Sequence, residues 1–414
     1  METQSHQTLG ATLWEDLRLS VPFRIYTAMS DPTPLEVRWA DPQSLFDRSN
    51  DWNRLTRGVP TRSTHWIEPW WQMQKTVSAG DASVKPAVAA CYRGDRLVGV
   101  MPLYCDAAVN EHPSGTLRAM GDGNACTDYV SVLCEPDDIE SVPTAIAKFL
   151  IEQSAVDGGW SMLDLDGVAE DDEAVNRLLE TLRDRGASTH GVSRMSSWQR
   201  PKSESWDAHL RCHGKTQRRR MRRMTEKFDT VEGASRVLAS DVDTTIALVD
   251  DLIRLHQARW TSAGELGTYH DPAFREFIHA VAQNFLATGR LHLVAMRLHE
   301  QTIAVELNIV GEDRVLYQYS AGYDVDHADL EPGRILHVDS MRQMYEGLVD
   351  ECDFMRGDES YKQRYGTASR RIFRHRVFAP SWLPQIRYQA FRAGFELKQL
   401  IRRSTKKELL VTRQ

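Results

Sequence analysis

The apolar positions of this chain fall into short runs of period two separated by longer runs of helical period. "LEVRWA" alternates as a strand does, and "DPQSLFDRSNDWNRLTR" after it opens on an acidic N-cap and continues at helical spacing. "THWIEPWWQMQKTV" places Trp66, Trp70 and Trp71 on one helical face, a pattern that predicts a core stripe rather than a ligand platform. Two later stretches share one design. "AVAACYRGDRLVGVMPLYC" and "HLVAMRLHEQTIAVELNIV" each read as strand, polar turn, strand, and Val98, Gly99 and Val100 align with Ile303, Ala304 and Val305. Chance likeness between two amphipathic hairpins and a duplicated unit both remain open at this point.

The surroundings favour duplication. Helical runs precede each hairpin, among them "DTTIALVDDLIRLHQARW" and "DPAFREFIHAVAQNFLATG" before the second, and "SVPTAIAKFLIEQSAV" and "GRILHVDSMRQMYEGLV" follow in corresponding places. The predicted fold is α/β (α+β), with two related domains whose curved, mixed, largely antiparallel sheets are flanked by helices. We place an extension over residues 1–34, a first domain over 35–195, a second over 196–368, and a return strand with a C-terminal helix over 369–414.

Length and composition agree: 414 residues exceed one comfortable core, and 41% hydrophobic with 26% charged residues is ordinary for globular proteins. A net charge of -7 gives no global attraction to nucleic acid or anionic lipid. The six cysteines lack metal-ligand spacing, so no metal is expected and the thiols read as reduced. With no leader pattern and no apolar run of membrane-spanning length, the expected location is the cytoplasm, with the inner-membrane surface as a variant.

Candidate chemistry concentrates in the second half. "GKTQRRRMRRMTEKF" predicts a helix with one apolar seam and otherwise basic faces; a solvated face, a nucleic-acid contact and a small anionic substrate are its three readings. Glu306 interrupts an apolar strand, which makes it a general base facing a cavity or an outward edge residue. Tyr317 and Tyr319 share a strand face, where a phenol could serve a leaving group. "EPGRILH" sets Gly333 at a helix start, where free N–H groups suit a pyrophosphate. Walker, dinucleotide and zinc-protease motifs are missing, and "RGDESYKQRYG" reads as a polar loop carrying Asp358, Glu359, Tyr361 and Lys362.

In order, "GKTQRRRMRRM", "LHQARW", "GRLHLVAMRLHEQTIAVELNIV", "YSAGYD", "PGRILH" and "DFMRGDESYKQRYG" resemble the bacterial acetyltransferases similar to cellulose-biosynthesis protein CelD, relatives of GNAT N-acyltransferases and of FemABX peptidyltransferases. The likeness extends more weakly to "HWIEPWW" and "ACTDYVSVLC". It implies tandem GNAT-like domains and transfer of an acyl group, from acetyl-CoA or another acyl-CoA, to an amine or hydroxyl of a sugar-like acceptor, with aminoacyl-tRNA as the alternative donor and a non-catalytic binding protein as the third reading. It further implies a sheet splayed at the strand of Glu306, Lys362 as stabiliser with Asp358 positioning it or accepting a proton, and Gly333, Arg334 and Ile335 holding the donor; of the two strand tyrosines, Tyr319 is taken as the catalytic candidate. Lys215, Arg218, Tyr361 and Asp128 are the implied substrate contacts. The C-terminal "QIRYQAFRAGFELKQLIRRSTKK" is a basic amphipathic helix that either docks on its own domain or meets a membrane surface or assembly partner.

Overall fold

The structure, a computed structural model, describes residues 33–78, 84–106, 115–156, 159–366 and 368–411. The chain divides into Met1–Pro34 and Leu35–Gln414; the expected N-terminal extension lies outside the described residues but for its last two. In the second unit the strands are β1 (Leu35–Ala40), β2 (Val84–Pro86), β3 (Val88–Arg93), β4 (Arg96–Met101), β5 (Leu103–Asp106), β6 (Thr116–Ala119), β7 (Leu133–Cys134), β8 (Met162–Ala169), β9 (Ser188–Pro201), β10 (Ala234–Leu238), β11 (Leu291–Leu298), β12 (Gln301–Val310), β13 (Val315–Tyr323), β14 (Glu351–Arg356) and β15 (Ala368–Phe378). The main helices are α1 (Thr64–Val77), α2 (Ser141–Ser154), α3 (Glu173–Asp184), α4 (Trp206–Arg211), α5 (Lys215–Asp229), α6 (Val242–Ser262), α7 (Pro272–Ala287), α8 (Pro332–Arg342), α9 (Ser360–Tyr365) and α10 (Trp382–Val411). Four strands form a sheet in the order β1-β3-β4-β7, and eleven run β10-β11-β12-β13-β14-β9-β15-β8-β6-β5-β2.

The two hairpins share their ladders as well as their sequence pattern. In β3 and β4, Ala90 faces Val100 and Cys91 faces Gly99, and the register slips just after Cys91. In β11 and β12, Ala295 faces Val305 and Met296 faces Ala304, and the register slips just after Met296. A bulge at the same place in both copies is a duplicated feature, since bulges interrupt a ladder and persist only where they are built in. The correspondence continues: Leu103 faces Ala119 and Val100 faces Leu133 in the first half, as Asn308 faces Gln318 and Val305 faces Gly322 in the second. Residues 120–132 therefore stand where the second half has only residues 319–321, of which Tyr319 is the bulge.

Each half also contains a parallel pair that parts early. β6 meets β8 over Thr116–Arg118, and β13 meets β14 from Val315 to Tyr317. β13 then runs on to Tyr323 with no strand of the described residues beside that edge, which opens a wedge. The expectation had placed this splay at the strand of Glu306. β12 is instead paired on both sides along its length, and the splay belongs to β13 because a parallel neighbour must be reached by a crossover, here through α8.

Each half ends in a strand that completes the other. β9 follows the helices of the first half yet pairs with β14, while β15 follows the second half and pairs with β8. The two pair with each other from Ser188 opposite Phe378 to Gln199 opposite Ala368. The junction expected near residues 190–210 thus falls largely within a sheet strand. The tryptophan stripe of α1 is core: Trp66 and Trp70 are fully buried, and Trp66 meets Phe277 of α7 edge-on at 5.2 Å. All six cysteines are free thiols.

One buried histidine makes the fold sensitive to acid. His209 of α4 stacks on Trp206 at 4.9 Å, is fully enclosed, and neither ring nitrogen has a partner in the protein. Burial first, then the charges of Arg200 and His213, push its pKa down from 6.5 to about 3. Below pH 6.5 the unfolded chain binds a proton that the folded chain refuses, so this contribution is complete above that pH and is lost as pH falls toward 3. The expected slope is about 1.4 kcal/mol per pH unit in that window. Urea unfolding at several pH values should show a shallower acid loss for His209→Phe than for the parent; equal slopes would remove His209 as the cause.

Candidate active site

Two sets of side chains flank the wedge between β13 and β14. The first is a buried polar row. Residues opposite one another on neighbouring strands share a face, so Glu306 and Asn308 of β12 lie with His292 of β11 and Gln318 of β13. α8 lays His337 and Ser340 across them, one helical turn apart. Ser340 Oγ donates to Glu306 Oε1 at 3.4 Å, and Asn308 Nδ2 lies 3.2 Å from both Ser340 Oγ and His292 Nδ1. His337 Nδ1 stands 3.5 Å from Glu306 Oε2. Glu306 is 1% exposed, which excludes the outward-edge reading. Among the described residues, Glu306 Oε2, Asn308 Oδ1, His337 Nδ1 and both amide ends of Gln318 have no hydrogen-bond partner. Each such atom costs about 1–3 kcal/mol when enclosed, and a concentration of them is what a ligand-binding recess requires. Burial lowers the pKa of His292 while the charge of Glu306 opposes it.

From this row the site continues to α9. The ring of His337 stacks on Tyr361, with centroids 4.7 Å apart and planes 9° from parallel. A polar loop was expected here, but α9 is a short helix, and its turn brings Glu359 to Lys362 at the i, i+3 spacing. Lys362 is 7% exposed; its Nζ donates to the Arg356 carbonyl at 2.5 Å and lies 3.3 Å from Glu359 Oε2. Gly357 lies beneath it at φ +146°, a conformation that L side chains rarely adopt, and a Cβ there would displace the Glu359 carboxylate and Lys362 Nζ. Asp358, expected to position Lys362, instead accepts a bond from the Ser196 N–H at 3.2 Å.

The second set belongs to residues 120–132, the expanded counterpart of the β13 bulge. Asp128 is 1% exposed, pairs with the Arg356 guanidinium and accepts the Arg356 N–H at 2.7 Å. Burial raises its carboxyl to about 6, with Arg356 pulling the other way. Arg356 reaches it because β14 bulges after Asp353 and holds Met355 at φ +55°, a left-handed conformation that a side chain adopts only when its surroundings impose it. Arg356 Nη2 also donates to the Thr127 carbonyl at 2.7 Å. Tyr319, in the β13 bulge, donates its hydroxyl to the Ala125 carbonyl at 3.0 Å and packs edge-on against Trp66. The two equivalent bulges of the duplicated halves therefore touch, and burial holds the Tyr319 phenol well above its usual range.

The remaining expected contacts lie elsewhere. At the start of α8, Glu331 sits at φ +55° with its carboxylate tied to Arg220 and Arg334. The Arg334 and Ile335 N–H groups both bond the Glu331 carbonyl, at 3.0 and 3.2 Å, and Pro332 has none. Gly333 alone is left to meet an anion, beside a carboxylate, and the Ile335 side chain is in the core. The expected three-residue pyrophosphate cradle is thus reduced to one donor. Lys215 is exposed and Arg218 half-buried at the start of α5, neither of them part of the wedge. On the opposite sheet face, a cavity of about 410 Å³ is lined by Tyr129, Tyr317, Asp313, Glu351, Asp353 and Arg370 among others, and burial raises the carboxyls of Asp313, Glu351 and Asp353. It holds none of the unpartnered atoms of the polar row. Among the described residues no three His, Cys, Asp or Glu side chains are grouped to hold a metal ion.

His337, Ser340, Asn308, Gln318 and Arg356 were not anticipated from sequence. The available signal was the same that singled out Glu306: Asn308 and Gln318 are polar residues inside apolar strands, and His337 and Ser340 are spaced i, i+3 on a helix.

Residues 215–363 match the family described as the acetyltransferase (GNAT) domain. The chain is similar to a crystal structure of FemX at 12% identity and a TM-score of 0.57, covering 86% of this chain and 99% of that one. It is similar to a conserved protein of unknown function from Bacteroides thetaiotaomicron VPI-5482 at 12% identity and a TM-score of 0.51, covering 84% and 100%. A tandem GNAT protein from the clavulanic acid biosynthesis pathway aligns at 13% identity and a TM-score of 0.43, covering 84% and 100%. No curated protein matches the chain in sequence.

Proposed function

We propose, from the premise that residues 215–363 are an acetyltransferase (GNAT) domain, that this protein moves an acyl group from acyl-CoA to an amine or hydroxyl of a small sugar-like acceptor, of the kind used in exopolysaccharide or envelope precursors. The observation that carries the reading is the wedge: a strand edge without a neighbour beyond Tyr317, beside a buried row with unpartnered polar atoms. Peptide N–H groups on such an edge are preorganised donors for the oxyanion that forms when the nucleophile adds to a thioester carbonyl. Lys362, nearly buried, adds positive charge near the same place.

The acceptor proton goes to His337. Glu306 is too enclosed to reach an acceptor itself; its carboxylate stands 3.5 Å from His337 Nδ1, and a small closure on ligand binding would let that nitrogen donate to it, leave Nε2 to accept and stabilise the imidazolium. Collapse of the tetrahedral intermediate breaks the C–S bond, and the thiolate recovers the proton from His337. The row made by Asn308, Gln318 and Ser340 suits a hydroxyl-rich or amide-bearing ligand portion. A second reading keeps the site and changes the donor to aminoacyl-tRNA; the exposed arginines Arg219, Arg222 and Arg223 of α5 favour it as a phosphate-facing row.

Calorimetric titration with acetyl-CoA, longer acyl-CoAs and tRNA separates the two. We expect saturable acyl-CoA binding. Lys362→Ala should bind the donor yet turn over about 10–100-fold more slowly. Binding of tRNA alone would replace the donor, and parent-like turnover by Lys362→Ala would remove that residue from the chemistry.

A further inference from the structure

The last helix has two apolar faces, and among the described residues only one is packed. Tyr388, Phe391 and Phe395 of α10 dock on the sheet: Tyr388 and Phe391 lie 5.4 and 5.8 Å from Phe378, and Phe391 and Phe395 meet His190 of β9 at 5.0 and 4.7 Å. Gln385 anchors the first turns through Ser188 and the Ala379 carbonyl. On the opposite side Trp382, Ile386 and Leu397 are 74%, 58% and 58% exposed. At helical spacing these three, with Ala393 between them, form one stripe turned away from the docked face.

Cations border the stripe. Arg387 flanks it on one side and Arg392 on the other, while Arg194 of β9 and Lys398 lie toward the docked side, at a cavity of about 370 Å³ between helix and sheet. Arg374 and Arg376 are paired with Asp164, and Arg392 with Glu396. Among the described residues Arg194, Arg387 and Lys398 have no carboxylate within ion-pair distance. Against a net charge of -7 for the whole chain, this is a local concentration of positive charge around an exposed apolar stripe. No helix of the described residues is long and apolar enough to cross a membrane.

We propose that the outer face of α10 rests on an anionic lipid surface, with Trp382, Ile386 and Leu397 entering the headgroup layer and Arg387 and Arg392 at its flanks meeting lipid phosphates. A helix with an apolar stripe between basic flanks lies in such an interface, and tryptophan favours it. A second copy of this chain fits less well, because facing stripes would bring two rims of like charge together.

The test is co-sedimentation of the full chain with phosphatidylcholine vesicles, with and without phosphatidylglycerol. We expect binding at least about tenfold stronger to the anionic vesicles and weakened by salt. The triple variant Trp382→Ser, Ile386→Ser, Leu397→Ser changes only exposed side chains and should lose that binding while unfolding at the parent's urea midpoint. Equal binding to neutral vesicles, or anionic binding retained by the triple variant, overturns the proposal. So does light scattering that shows a dimer without lipid which the triple variant dissociates.

Discussion

Glu306→Gln is expected to lower the turnover of acyl transfer by about 10²–10⁴-fold, the range for losing general base catalysis, while leaving donor binding and the urea midpoint close to the parent's. Glutamine keeps the size of the side chain and an oxygen for the Ser340 hydroxyl, so the enclosed position, 1% exposed, stays filled. What disappears is the negative charge 3.5 Å from His337 Nδ1. His337→Gln should cost a similar factor. Groups that act as one unit are not additive, so the double variant should be little slower than either single one. Multiplying losses would mean that the two residues act separately, and parent-like turnover by Glu306→Gln would end its role in proton transfer.

The second large effect concerns stability. Arg356→Met should cost about 3–5 kcal/mol at neutral pH, the usual result of stripping the partner from a buried charge. Asp128 would be left 1% exposed, and the Thr127 carbonyl would lose its donor. The pH dependence has a definite sign. The Asp128 carboxyl is already raised to about 6 by burial with Arg356 present; without Arg356 it rises further. A carboxyl whose folded pKa exceeds its unfolded value costs stability as pH climbs above the unfolded value, so the variant should be weaker at pH 8 than at pH 5. Asp128→Asn in the same background should recover part of the loss. Urea titration across pH measures all three; a loss below about 1 kcal/mol with no pH trend would show that the pair is not holding residues 120–132 against β14.

The duplicated hairpin was legible because a strand pair joined by a short turn is a local object: the matched apolar positions at Val98–Val100 and Ile303–Val305 also fix the matched bulges. Glu306 was legible for a related reason, as a carboxylate in an apolar run. The wedge was not, since the β13–β14 pairing rests on three residue pairs joined by a crossover, and no periodicity within either strand marks it. The partner of Lys362 depended on the state of a few residues. Read as a loop, the stretch gives Asp358 and Glu359 equal standing; folded as the turn of α9, it selects Glu359 at i, i+3 and sends Asp358 toward β9. Residues 120–132 gave no sign that they replace a three-residue stretch with a single bulge at Tyr319, because that equivalence exists only in the ladders on either side.

The crossed final strands bear on the order in which the chain leaves the ribosome. β8 lies in the first half, but the strand that covers its edge, β15, is among the last to be made. Throughout synthesis of the intervening residues that edge offers unpaired N–H and C=O groups to any neighbouring chain. The first half therefore cannot mature while the second is being translated, and a truncation at the apparent midpoint removes the closing strand from both halves at once. Holding nascent chains in check until residue 378 has emerged falls to chaperones, and shortened forms should reach inclusion bodies before they reach solution.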